Sequence, residues 1–200
     1  MKRIFLSILL CSAVLVTSSS VLAQSSGLPD VGSYSADARA ARIAALRERF
    51  QVSLTDEDRA RILAGCSTAQ ARLKNVQNTF TLNHLTRTRD NETVIAELST
   101  LRSMFVNSQL DSSAIDLLIV EYQQKFESYE TVAAEYEVML TDATTLECQS
   151  SPDDFQAVLE GARDTLSRVA VNAQSIKYFT DTALGNRFDI LSRRVNERSE

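Results

Sequence analysis

The sequence contains no tryptophan, two prolines and five glycines among its 200 residues. Residues that interrupt helices are therefore sparse, and no run shows the alternation of apolar and polar residues that indicates a β-strand. Long stretches instead repeat apolar residues at intervals of three and four. The sequence predicts an all-α fold: an elongated antiparallel three-helix bundle or coiled-coil hairpin with an inter-helix disulfide.

Residues that support catalysis are also scarce. His84 is the only histidine, and its neighbours Arg87 and Arg89 predict a solvent-exposed position. The sequence has no HExxH, CxxCH or GxSxG motif and no glycine-rich phosphate loop. We interpret the adjacent acids Asp153 and Asp154 as helix-capping residues. We therefore predict no enzyme activity, no catalytic residue, no metal and no cofactor. A hydrolase or metal-dependent enzyme that uses surface acids is the weakest alternative.

Charge is unevenly distributed along the chain. The formal net charge of -5 disfavours nucleic acid as a partner. Residues 112–151 are strongly acidic with Lys125 as their one cation, whereas residues 39–89 are comparatively basic. The favoured interpretation is that these oppositely charged helix faces pack together. The alternative is an acidic flank that binds a basic partner.

The N-terminus has the pattern of a signal peptide. Lys2 and Arg3 precede the apolar run Ile4–Val16, and Val21 and Ala23 suit a signal peptidase. The run is shorter than the roughly 20 residues that span a bilayer, so cleavage is favoured over a retained anchor. We predict a signal peptide over residues 1–23, and an exported chain (periplasmic, cell-surface or extracellular) with no stable membrane insertion after cleavage.

The remaining chain divides into a leader and four helices. Residues 24–35 are polar, contain glycine and proline, and are predicted to be disordered. A short helix is predicted over 36–50, packed on one end of the bundle or loose, and long helices over about 56–107, 113–147 and 152–196. The predicted capping residues are Thr55 with Asp58, Ser113 with Asp116, and Ser151 with Pro152 and Asp154.

Apolar seams with heptad spacing define the buried face of each long helix. The first seam changes phase after Phe80, which indicates a stutter in one long helix or a break near Asp90; one long helix is favoured. A further phase shift is predicted near Gly185. The seams are Ile62, Cys66, Ala69, Leu73, Val76 and Phe80, then Val94, Leu98, Leu101 and Phe105; Ile115 to Ala143; and Phe155, Leu159, Ala162, Leu166, Val169, Ala173 and Ile176.

Two cysteines follow the predicted signal peptide, and Cys11 lies within it. Antiparallel helices that rise ~1.5 Å per residue would carry Cys66 and Cys148 to nearly the same distance from a hairpin tip near Gln109. Exported chains meet an oxidising environment, so we predict a disulfide between them. Two free thiols are the alternative.

Three tyrosines recur every seven residues in the acidic helix: Tyr122, Tyr129 and Tyr136. Filling the core is the favoured interpretation. If the third long helix covers them incompletely, their hydroxyls would instead reach the edge of an aromatic groove. The candidate partner surface comprises these tyrosines with Glu127 and Glu130 from the acidic flank.

Two resemblances bear on function. The stretch "SLTDEDRARI", with Leu54 and Thr55, resembles the LTxxQ opening of the Spy/CpxP periplasmic chaperones, although Asp58 replaces the glutamine. That resemblance implies a helical protein that binds unfolded or partner proteins. A second resemblance covers most of the chain after the signal peptide. It is to uncharacterised exported helical proteins of small-genome bacteria, and it rests on Cys66, the tyrosine-rich helix, Cys148, Pro152 and Phe155. This resemblance supports the fold and implies nothing about function.

These observations favour an exported, non-enzymatic helical protein that acts by protein–protein interaction in the cell envelope or outside the cell. Its partner would be an envelope or extracellular protein that the sequence does not identify. The alternative is a holdase-like periplasmic chaperone for unfolded envelope proteins. The seams could also pair between chains, so a homo-oligomer stays open.

Overall fold

A computed structural model describes residues 35–187 and residue 190. The predicted signal peptide, Cys11, nearly all of the predicted leader and the predicted helix end near residue 196 lie outside the described residues. Ser35, the last residue of the predicted leader, caps the first helix by accepting a hydrogen bond from the amide of Ala38 at 3.1 Å. This residue therefore belongs to the helical domain.

The described residues are mostly helical and contain no strand, which confirms the all-α prediction. The helices are α1 (Ala36–Phe50), α2 (Asp56–Asn107), α3 (Ser113–Thr145) and α4 (Pro152–Tyr178), followed by a π-helical segment, Phe179–Leu184. The long helix α2 is uninterrupted at Asp90, as favoured from the sequence.

One of the three predicted caps forms as expected. The Thr55 hydroxyl oxygen accepts a hydrogen bond from the Asp58 amide at 3.1 Å, and this caps α2. The prediction for Ser113 is wrong, because Ser112 occupies the cap position of α3. Ser113 bonds instead to the carboxylate of Asp111, both through its amide and through its hydroxyl.

The prediction that Ser151 and Asp154 cap α4 through their side chains is also wrong. Ser151 occupies the cap position but makes no side-chain capping bond. The two acids that follow bind other helices: Asp153 receives two hydrogen bonds from Arg59, at 3.1 and 3.2 Å, and Asp154 receives one from Arg47 at 3.2 Å. These acids therefore serve charge-assisted tertiary contacts instead of capping α4.

Contacts between α2 and α3 run in opposite sequence order along the two helices. The turn that joins the helices lies at one end of this series, and Gln109 in it has a φ of 56°. In order from the far end, the pairs are Cys66 with Cys148, Gln77 with Thr141, Thr81 with Glu137, Thr88 with Glu130, Asn91 with Tyr122, and Arg102 with Asp116.

The predicted disulfide is present. Cys66 and Cys148 are bonded, with their Cα atoms 5.9 Å apart and a sequence separation of 82 positions. Both cysteines are buried and form a small cluster with Phe155, the first apolar residue of α4. The bond therefore joins α2 to the turn between α3 and α4.

The core lies along α3, which packs against both α2 and α4. Tyr122, Tyr129 and Tyr136 are 2%, 2% and 4% exposed, which confirms that they fill the core. The π-helical segment explains the predicted phase shift. Phe179 and Leu184 both reach the core although they are five residues apart, a step that needs one widened helical turn.

The short helix α1 packs against α4 and α3 and is not loose. Its apolar side chains Ile43 and Leu46 are buried in the main core. Gly161 of α4 permits this approach, because a Cβ there would lie 2.9 Å from a terminal methyl carbon of Leu46. The close contact seats α1 on α4.

Candidate partner-binding groove

The helices α2 and α4 meet at the disulfide end of the molecule. Leu159 of α4 packs on the cluster that contains the disulfide, as does Ala69 of α2. An aspartate at the start of α4, Asp153, binds Arg59 at the start of α2. These contacts fix the two helices to each other where both begin.

Further along, the same two helix faces lose contact. Residues seven apart lie on one helix face when helices pack along a heptad seam. Val76 follows Ala69 by seven residues and Leu166 follows Leu159 by seven, yet each is 44% exposed. The sequence placed both in buried seams, and that prediction is wrong for these two residues. α2 and α4 diverge, so each leaves an apolar side chain half open to solvent.

Beyond these residues the divergence opens a groove with a volume of about 610 Å³. Its floor comes from α3 and its walls from α2, α4 and the π-helical segment. We call it the α2–α4 groove. Its lining residues are Arg87, Asp90, Asn91 and Val94 of α2; Tyr122 and Tyr129 of α3; Ala173, Gln174, Ile176 and Lys177 of α4; and Thr180 and Asp181 of the π-helical segment.

The floor of the groove is closed by tyrosine rings. The Tyr122 hydroxyl donates a hydrogen bond to the side-chain oxygen of Asn91 at 2.6 Å, which ties α3 to the α2 wall. Burial raises the pKa of Tyr122 and of Tyr129, so both hydroxyls stay protonated near neutral pH. The rings support the floor but expose almost no surface. Tyr122 and Tyr129 therefore line the groove but offer a partner little surface of their own, and their role as partner contacts stays a prediction.

His84 and Glu130 form a half-buried pair beside this floor. His84 Nε2 lies 3.1 Å from Glu130 Oε2, and the Thr88 hydroxyl donates to Glu130 Oε1 at 2.7 Å. The imidazole stacks on the Tyr129 ring. Its side chain is 11% exposed, so the predicted solvent-exposed histidine is wrong. Glu130, which the sequence placed in the candidate partner surface, is already hydrogen-bonded to His84 and Thr88 within the protein.

The protonation of this pair is set by its contacts. The hydrogen bond to Glu130 raises the pKa of His84, against the opposing effect of burial. Burial raises the pKa of Glu130, but the hydrogen bonds from His84 and Thr88 outweigh it and leave that pKa below its ordinary value. The pair therefore favours a charged imidazole against a charged carboxylate.

Glu127 lies away from the α2–α4 groove. It borders a shallow polar depression on another side of α3, with Gln124, Ser128 and Asn172. The structure therefore does not bring the five predicted surface residues together: three tyrosines are core residues, Glu130 is bound by His84, and Glu127 faces solvent elsewhere.

Several acids of α3 pair with cations from neighbouring helices. Asp142 pairs with two arginines of α1, Glu135 with Arg168 of α4, and Asp116 with Arg102 of α2. This agrees with the favoured interpretation that oppositely charged helix faces pack together. The alternative is an acidic flank that binds a basic partner. These three carboxylates are already paired within the protein and are not free for such a partner.

Sequence reasoning missed the wall residues that define the groove. Asn91, Lys177 and Thr180 are polar residues at positions typical of any solvated helix face, so no local signal distinguishes them. The heptad spacing did contain Val76 and Leu166, but a periodicity cannot show where two helices separate.

No three histidine, cysteine, aspartate or glutamate side chains among the described residues are placed to hold a metal ion. No helix in the described part of the chain combines the length and apolar character that crossing a bilayer requires. Comparisons with protein-family models, with curated proteins and with solved structures found no match.

Proposed function

We propose that this chain is an exported, non-enzymatic protein that binds another protein in the cell envelope or outside the cell. Its scaffold would be an elongated antiparallel three-helix bundle fixed at one end by the disulfide. Two features support this scaffold and this location: the opposed order of contacts along α2 and α3, and a disulfide in a chain that begins with a signal-like segment.

The observation that carries the proposal is the open α2–α4 groove. Val76 and Leu166 lie on the two helix faces that lead into it, and both occupy seam positions but remain 44% exposed. Burying apolar surface is favourable by ~25 cal/mol per Å². A partner that fills this groove would therefore gain binding free energy from the apolar surface that the bundle leaves exposed. A groove between two helices suits an amphipathic helix.

Site-directed crosslinking would test the proposal. A photoreactive amino acid would replace Gln174, an exposed residue of the groove wall, in the exported chain, and the matched control would carry it at Val171, an exposed apolar residue of α4 that does not line the groove. We expect irradiation of the intact envelope to give one discrete heterologous adduct from position 174 and none from position 171. Equal adducts from both positions would contradict the proposal.

Export has its own test. The mass of the chain recovered outside the cytoplasm should correspond to a protein that begins at Gln24, after cleavage behind Ala23. A chain that stays in the cytoplasm with Met1 intact would contradict export.

A holdase-like chaperone is the second candidate. Leu82 and Leu85 are 67% and 57% exposed on neighbouring positions of α2, and such apolar surface can hold unfolded chains. This function predicts suppression of client aggregation at near-stoichiometric ratios, with many unrelated adducts in the crosslinking experiment instead of one.

A further inference from the structure

The walls of the α2–α4 groove carry charges of both signs in equal number. The α2 wall carries Arg87 and Asp90. The opposite wall carries Lys177 and Asp181. The groove is therefore neutral although the chain has a formal charge of -5. A surface that attracts a strongly charged foreign partner shows an excess of one sign.

Neutrality with both signs is what a self-complementary surface requires. In a two-fold symmetric dimer the same patch serves both copies, so each residue needs its complement on the same patch. When the symmetry axis runs along the groove, α2 of one copy faces α4 of the other. The anion of one wall, Asp90, then meets the cation of the opposite wall, Lys177.

We infer that a second copy of this chain covers the α2–α4 groove in a two-fold symmetric dimer, with Asp90 of each copy paired to Lys177 of the other. The inference goes beyond the proposed function, because it describes the chain when no heterologous partner is bound. The dimer buries Val76 and Leu166 of both copies, and a heterologous partner has to displace the second copy.

The charges involved are available for such pairing. Asp90 makes no ion pair within the described residues, and its side chain is exposed. Lys177 pairs with Asp181 in its own helix, but both side chains are more than half exposed. Exposed pairs of this kind contribute little to stability, so Lys177 can exchange its partner at little cost.

The size of the contact predicts a weak dimer. The α2 face that runs from Val76 through the groove to Val94 is about 27 Å long at ~1.5 Å per residue, and two helices are about 20 Å wide. Such a strip buries on the order of 1,000 Å² over both copies, at the lower limit for specific interfaces. We therefore expect dissociation in the micromolar range.

Sedimentation equilibrium of the purified, disulfide-bonded chain from about 1 to 500 μM tests the inference directly. We expect reversible dimerisation for the native chain, and at least tenfold weaker dimerisation for D90K and for K177E, because each change places like charges opposite each other. The double variant D90K/K177E restores the opposite charges and should return to within about threefold of the native chain.

The matched control is E92K, which makes the same type of charge change on α2 at an exposed residue outside the groove lining. It should dimerise like the native chain. A monomer at every concentration would overturn the inference, and so would a double variant no better than the single ones. Either result leaves the heterologous adduct at position 174 as an independent test of the proposed function.

Discussion

At the scale of single residues, the side chain of Asp142 is a charged group buried inside the protein. Its carboxylate is 1% exposed near the end of α3, where it faces α1. Arg42 Nε donates to Oδ2 at 2.8 Å, and Arg39 donates through Nη2 to the backbone oxygen of Asp142 at 3.0 Å. Arg39 Nε lies 3.4 Å from Oδ1 without hydrogen-bond geometry, so that contact is coulombic only. A buried carboxylate is tolerated because these two cations surround it.

Replacing Asp142 with asparagine removes the charge and keeps the shape. We expect the free energy of unfolding to fall by about 1–3 kcal/mol, because hydrogen bonds to charged groups contribute that much. Both arginines keep 27% exposure and remain partly hydrated, so the loss stays below that of a fully buried pair. Urea unfolding measures it. The exposed control E121Q should change stability by less than about 0.5 kcal/mol; an equal loss in both variants would contradict the assignment.

The pair formed by His84 and Glu130 predicts a pH dependence of stability. Because the pKa of His84 is raised on folding, its contribution is fully present below the ordinary histidine pKa and is lost as the pH rises through the raised value. Glu130 has a lowered pKa, so its contribution is present above the ordinary glutamate pKa and is lost as the pH falls through the lowered value. The pair is therefore most stabilising between about pH 4.5 and 6.5.

The variant H84Q isolates this effect, since glutamine keeps a donor for Glu130 but does not titrate. The native chain should lose unfolding free energy relative to H84Q as the pH rises above about 6.5. Urea unfolding, repeated from about pH 5 to 9 in steps of ~0.5 pH unit, gives the free energy of unfolding of the native chain and of H84Q as a function of pH. Parallel profiles over this window would show that the imidazole is not charged against Glu130.

At the scale of secondary-structure elements, the disulfide holds α2 against the turn between α3 and α4. It closes a loop over the 82-residue separation of its cysteines. Such a bond restricts the unfolded chain, and for a loop of this length the chain-entropy model gives about 4 kcal/mol. Reduction should therefore lower the urea midpoint strongly. Reduced native chain is the appropriate comparison, because it keeps every other atom; an unchanged midpoint would contradict a stabilising role.

The sequence predicted the elements well, because long runs without glycine or proline and with heptad spacing leave few alternatives to helix. Local rules failed where a tertiary partner competed with them. Asp153 and Asp154 satisfy a capping pattern, but arginines from other helices bind both carboxylates. His84 lies between arginines in sequence, but Glu130 and Tyr129 of α3 enclose it. Neither outcome can be read from neighbours in the chain.

At the scale of the whole molecule, the buried core that stabilises the fold and the open groove lie in different parts of the structure. α3 supplies the buried core, while α2 and α4 touch each other where they begin and separate beyond Val76 and Leu166. The π-helical segment lies at the far end of the groove and contributes Thr180 and Asp181 to its lining. Such segments are frequent at functional sites, because they change the direction of side chains within a continuous helix.

This separation predicts that association can be removed without unfolding the chain. The substitutions V76Q and L166Q replace half-exposed side chains on the helix faces that lead into the groove, so each should change the free energy of unfolding by less than about 1 kcal/mol. Both should abolish dimerisation in sedimentation and the heterologous adduct in crosslinking. The core control Leu98→Ala, at a residue 1% exposed, should cost about 2–5 kcal/mol while the groove residues stay intact. Groove variants as destabilising as Leu98→Ala would show that Val76 and Leu166 pack within one chain and that the groove is closed in solution.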